Sequence, residues 1–209
     1  MTATTLPPGV TDVAREAPRA RVRGVSEALP PGESILWEGA PDARALARHL
    51  FFIRPLSAYL GAMVLWWVAV NSSQVATQEF WATLGIQLML VGGVVGGALW
   101  MARAIANGTT YAITDRRIVM RFGLIFPLTI NVPLHFVDGA KARQFPDGTG
   151  QIAVQLNKRE SIAWIVLFPH VRPFQYKNPE PLLRGLTDSV KVGEVLRAAV
   201  LAVPPKDAA

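Results

Sequence analysis

The residues that could do chemistry are few. The sequence has three histidines, His49, His135 and His170, at no spacing that would gather them around a metal ion. It has no cysteine, which removes thiolate metal sites and disulfide frameworks together. A nucleophilic serine needs a base placed beside it, and Ser57, Ser72, Ser73, Ser161 and Ser189 have no such pattern around them. Asp115 and Asp147 stand in turn sequences, where aspartate bonds its own backbone. Gly92, Gly93, Gly96 and Gly97 are dense enough for a phosphate loop, but they lie inside an apolar run. The expectation is a non-enzyme with no cofactor or metal of its own.

What remains is recognition chemistry. Gly92 with Gly96, and Gly93 with Gly97, form two overlapping GxxxG repeats. Small residues at that spacing let a second helix approach closely inside a membrane. The partner stays open: the chain's own first span, which carries Gly61 and Ala62, another protein, or a second copy. The cations form two groups, Arg44, Arg48 and Arg54 before the apolar stretch and Arg116, Arg117 and Arg121 after it. Each is expected to contact lipid, an attraction of about 1 kcal/mol per basic residue near an anionic surface. A Pro-rich loop carrying Pro169, His170, Arg172, Pro173 and Phe174 is expected to contact protein.

The element that positions these groups is a transmembrane hairpin from Leu56 to Met101. Phe80 to Met101 is 22 residues without a charged side chain. At 1.5 Å per residue it spans roughly 33 Å, enough for a hydrocarbon core of about 30 Å. Leu56 to Val70 is shorter and also uncharged, and Asn71 to Gln74 reads as the turn between them. Residues 1–54 carry seven Lys+Arg, residues 55–102 none, and residues 103–209 fourteen, within a net charge of +6. This is the positive-inside pattern, with both termini in the cytoplasm and no nucleic-acid role. Trp66, Trp67 and Trp81 fall at the far interface and Trp100 at the near one, as an aromatic belt.

Residues 1–24, rich in Pro, Ala, Thr and Arg, read as a disordered tail, and residues 25–55 as an N-terminal segment. Within that segment Ser34 to Glu38 reads as a strand. Asp42 caps a helix over Ala43 to Phe52, with Leu46, Leu50 and Ile53 on one face, read as an interfacial helix or equally as the cytoplasmic extension of the first span. After the hairpin (residues 56–104) a cytoplasmic domain is expected over 107–203. Strands are read at Thr109–Thr114, Arg117–Phe122, Leu128–Pro133, Gln151–Leu156 and Ser161–Leu167, with Asp138-Gly139 as one of the turns between. Closely spaced strands predict an antiparallel sheet or small barrel, and an amphipathic helix over Thr187–Val203, capped by Asp188, closes it.

Tyr111-Ala112-Ile113-Thr114-Asp115-Arg116-Arg117 resembles the opening signature of bacterial membrane-anchored pleckstrin-homology-like domains. Over a longer stretch, Leu29 to Pro41, Arg54, Asp147 to Ala153, Pro169 to Phe174 and Pro181 to Arg184 are similar to the PuhB family of photosynthetic complex assembly proteins. The resemblance covers roughly residues 25–200. It implies a pleckstrin-homology-like fold and a role in assembling or stabilising the reaction centre and its light-harvesting antenna. Implied partners are reaction-centre and light-harvesting subunits and membrane lipids, with a homodimer as a further option. Implied contact with bacteriochlorophyll is incidental, through those subunits. Other readings are a permanent subunit of the complex, or a lipid-binding module unrelated to photosynthesis. The implied location is the bacterial cytoplasmic or intracytoplasmic membrane.

Overall fold

The computed structural model describes residues 21–23, 25, 29–123, 127–157, 170–171 and 179–203. In chain order the elements are β1 (Ile35–Gly39), α1 (Ala43–His49), α2 (Ile53–Val70), α3 (Gln78–Asn107), β2 (Thr110–Thr114), β3 (Arg117–Phe122), β4 (Leu128–Pro133), β5 (Val137–Gln144), β6 (Gly150–Leu156), β7 (Leu182–Leu186) and α4 (Ser189–Ala202). Short 3-10 turns occupy Ser72–Gln74 and Leu134–Phe136.

The two helices of the hairpin are long and apolar enough to cross a membrane, and their most apolar windows are 0% buried. A core helix of a water-soluble protein would bury such a window. Left bare, these helices would expose a continuous apolar surface to water, which only lipid or a partner can cover. Thr77 starts α3 by accepting from the Phe80 N–H through its hydroxyl. At the hairpin tip Trp67 stacks on Phe80 with ring centroids 5.1 Å apart, and the Trp81 indole N–H donates to the Val75 carbonyl.

The soluble part corrects one expectation. Among the described residues no sheet closes into a barrel. Two antiparallel sheets stand apart, one ordered β1-β2-β3-β4 and the other β5-β6-β7. The 3-10 turn at Leu134–Phe136 lifts the chain from one sheet to the other, so β4 and β5 do not pair. The C-terminal helix α4 lies against β1, β2, β5 and β6 and fills the space between the sheets. Its apolar stripe, Val192, Leu196 and Ala199, joins a core with Tyr111, Ile113, Ile118, Met120, Ile152 and Leu183. Asp138-Gly139 is no turn. It lies inside β5, where a bulge between Val137 and Gly139 absorbs it. The strand expected at residues 161–167 lies outside the described residues.

β1 precedes the hairpin and β2 follows it, yet they pair, with Glu38 opposite Ala112 and Gly39 opposite Tyr111. The two flanks of the hairpin therefore lie on one side of the membrane. All five residues of β2 are buried. Tyr111 and Ile113 face α4, while Ala112 faces a second cluster with Val22, Leu29 and Val119.

Candidate functional site

The candidate interaction surface lies on α3, which is part of both the membrane anchor and the domain junction. Leu84, Gln87, Val91, Val95 and Ala98 are half-buried and recur every three or four residues. The stripe continues into Ala102 and Ala106, which pack on Leu46 and Ala47 of α1. At roughly 100° per residue, Gly93, Gly96 and Gly97 fall on the opposite side of the helix and Gly92 on the flank beside them. A Cβ built on any of the four meets nothing within 4 Å. The glycine face is thus a shallow open groove turned away from α2. Exposed Met89, Leu90 and Val94 lie close beside it along the helix.

The arginines have separate fates. Arg44 and Arg54 are exposed, near the start of the hairpin. The Arg48 guanidinium donates to Asp147 at 2.9 Å, and His49 Nε2 lies 2.9 Å from the same carboxylate oxygen while its ring stacks on Phe145 at 3.7 Å. Bonds from Thr149 foremost, then His49 and Arg48, hold the Asp147 carboxyl well below the usual aspartate range. Arg116 is exposed in the β2–β3 turn. Arg117 instead grips Glu33 through two bonds, Nε to Oε1 at 2.9 Å and Nη2 to Oε2 at 2.6 Å. The Glu33 side chain is fully buried. Arg121 pairs with Thr110 at the end of the sheet nearest α3. Arg116 and Arg117 sit at the other end of β2 and β3, so the triplet is not one patch.

The remaining residues of the signature turn are structural. The Thr114 hydroxyl accepts from the Arg116 and Arg117 N–H groups and lies 2.7 Å from Glu33 Oε1. Asp115 accepts from the Ser34 N–H. The sequence reading missed Glu33, whose only signal was a carboxylate beside Pro-Pro-Gly.

Of the Pro-rich loop, Pro169, Arg172, Pro173 and Phe174 lie outside the described residues. His170 is 1% exposed, so its imidazole presents no surface to a partner. Its Nδ1 is 2.7 Å from the Tyr111 hydroxyl and its Nε2 is 3.3 Å from that of Thr109. The Thr109 hydroxyl donates to the Ile105 carbonyl, so it accepts from Nε2–H. Tyr111 accepts from the Arg184 N–H and donates to Nδ1. One neutral tautomer satisfies every bond. Burial first, then the nearby Arg184 charge, holds the His170 imidazole down at about 3. Burial likewise pushes the Tyr111 hydroxyl up and Arg184 down. Among the described residues no group of three His, Asp or Glu side chains is placed to hold a metal ion.

Comparison with known proteins agrees with this architecture. Residues 50–167 match the family described as Bacterial PH domain. A Rhodobacter capsulatus protein described as an uncharacterized 23.7 kDa protein in the puhA 5' region is 30% identical over 181 residues, covering 86% of this chain and 85% of that one. No solved structure matches.

Proposed function

The chain belongs to the bacterial PH domain family, in its PuhB-like branch, and from that premise we propose that it assembles or stabilises the photosynthetic reaction centre and its antenna. It is a non-catalytic membrane protein with a soluble domain facing the cytoplasm. Its working surface is the glycine face of α3, which receives a transmembrane helix of a reaction-centre or light-harvesting subunit. The domain beneath holds the pair in register from the cytoplasmic side. The observation that carries this reading is the open groove at Gly93, Gly96 and Gly97, flanked by Gly92, on the side of α3 away from α2. A groove filled by α2 would have no room for another helix. The choice of partner class is supported by the relative, whose description places it in a puhA 5' region.

The test is affinity purification of the tagged full chain from phototrophic membranes in mild detergent. The native chain is expected to bring down reaction-centre or antenna subunits. Gly93→Leu with Gly97→Leu fills the groove and is expected to lose them while still inserting in the membrane. Equal recovery by the double variant would remove the groove from the account.

A further inference from the structure

A second site lies where α3 meets the domain. A cleft of about 820 Å³ opens there, lined by Arg23, Glu38, Asp42, Asn107, Thr110 and Arg121 among others. We infer that this cleft binds the headgroup of an aminophospholipid, with the phosphate against Arg121 and Arg23 and the ammonium against Glu38 and Asp42. This site is separate from the glycine face and does not depend on which membrane complex the chain serves.

Depth is the first argument. The uncharged run of α3 ends at Met101, and Arg103 is the first charge after it. Asn107 comes six residues after Met101, which at 1.5 Å per residue is roughly 9 Å further along the axis. The headgroup layer adds about 5–8 Å on each side of the hydrocarbon core. Asn107 therefore lies just past the headgroup layer, and the cleft beside it is within reach of the phosphates and ammonium groups there.

Charge is the second. Among the described residues neither Arg121 nor Arg23 has an ion-pair partner, whereas Arg48 and Arg117 are both engaged. Two arginines and two acidic residues thus line one cleft. The Glu38 carboxylate accepts the Arg23 N–H at 2.8 Å, and Asp42 caps α1 through Oδ1, so both acids are fixed in place. A purely anionic headgroup would satisfy the arginines and meet the acids with like charge. A headgroup with both signs satisfies each side. A primary ammonium donates hydrogen bonds to the acids, while a trimethylated one cannot.

The test uses the full chain, delipidated in a mild detergent, with lipid retention read by native mass spectrometry. One molecule of phosphatidylethanolamine is expected to be retained about tenfold better than phosphatidylcholine, the difference made by charged hydrogen bonds. Arg121→Gln is expected to lower that retention about fivefold, and Arg121→Lys to restore most of it. Glu38→Gln keeps an acceptor for the Arg23 N–H and is expected to erase the preference over phosphatidylglycerol. Lys191→Gln, exposed on α4 and outside the lining of the cleft, is expected to change nothing. Equal retention of the three lipids would overturn the inference, as would native-like retention by a folded Arg121→Gln chain together with Glu38→Gln. Full displacement by an equal concentration of soluble phosphoethanolamine would also overturn it, pointing to a free phosphoester rather than a lipid.

Discussion

At the residue scale the structure sorts groups that look alike in sequence. Arg116 and Arg117 are neighbours, and the sequence gives no reason to treat them differently. Arg117 neutralises a buried carboxylate, and Arg116 reaches solvent. Arg117→Ala leaves Glu33 charged and buried, which is expected to cost about 3 kcal/mol in thermal unfolding of the full chain. Arg116→Ala is expected to stay within about 0.5 kcal/mol. His170 supplies a second test. Its folded value, about 3, lies below the ordinary histidine value of 6.5. Above pH 6.5 both folded and unfolded chains carry it neutral, so it adds no pH dependence. Between pH 6.5 and 3 the unfolded chain takes up the proton and the folded chain does not, so stability falls as pH falls. The slope approaches about 1.4 kcal/mol per pH unit. Thermal melts across that range are expected to show the loss, and His170→Gln to flatten it. The burial of His170 was not legible in a Pro-rich stretch, because its partners Thr109 and Tyr111 are some sixty residues away.

At the element scale α1 is the coupler. Leu46 and Ala47 pack on Ala102 and Ala106 of α3. The Asp42 N–H donates to the Gly185 carbonyl next to β7's midpoint, while Arg48 and His49 hold the β5–β6 turn through Asp147. A seven-residue helix thus ties the membrane anchor to the second sheet at both of its own ends. Gly185 makes this possible with φ +65°, a conformation other residues adopt at a cost, and a Cβ there would lie 3.1 Å from Pro41. Gly185→Ala is expected to destabilise by about 2 kcal/mol, measured by chemical unfolding. Asp147→Asn is expected to raise amide exchange in α1 without unfolding the sheets. The Asp147 carboxyl is held low, so its contribution persists as pH falls to the ordinary aspartate value. It is lost only below that, as the folded group takes its proton. The hairpin, β1 to β4, β6 and the two capped helices were legible because their patterns are local: uncharged length, alternation, and an Asp before an apolar stripe. β5 was not, since an exposed edge strand reading Asp-Gly-Ala-Lys-Ala-Arg has no apolar alternation to betray it. The separation of the two sheets was not legible either. Strands read one by one do not say where pairing breaks, and here it breaks at Leu134–Phe136.

At the scale of the whole molecule, the membrane hairpin is an insertion within the sheet of a soluble domain. β1 reaches the sheet only if the chain that left it at Gly39 comes back at Thr110 on the same side of the bilayer. Residues 107–209 alone would lack β1 and the residues that cover Ala112 and Val119. That fragment is expected to aggregate, whereas the full chain in detergent gives a single cooperative unfolding of the domain. The same closure fixes topology. The absence of native cysteine makes a single introduced thiol an unambiguous probe. Ser72→Cys sits in the exposed turn between α2 and α3, and Asp138→Cys on the exposed edge of β5. With a membrane-impermeant maleimide on intact spheroplasts, Cys at 72 is expected to react and Cys at 138 to react only after permeabilisation. Labelling of both in intact cells would put the tip and the sheet on one side, so that the hairpin would not cross the bilayer. Labelling of neither would leave the hairpin tip short of the far surface. Either result would break the link between a sheet shared across the hairpin and a domain held beneath the membrane, on which a partner helix in the bilayer depends.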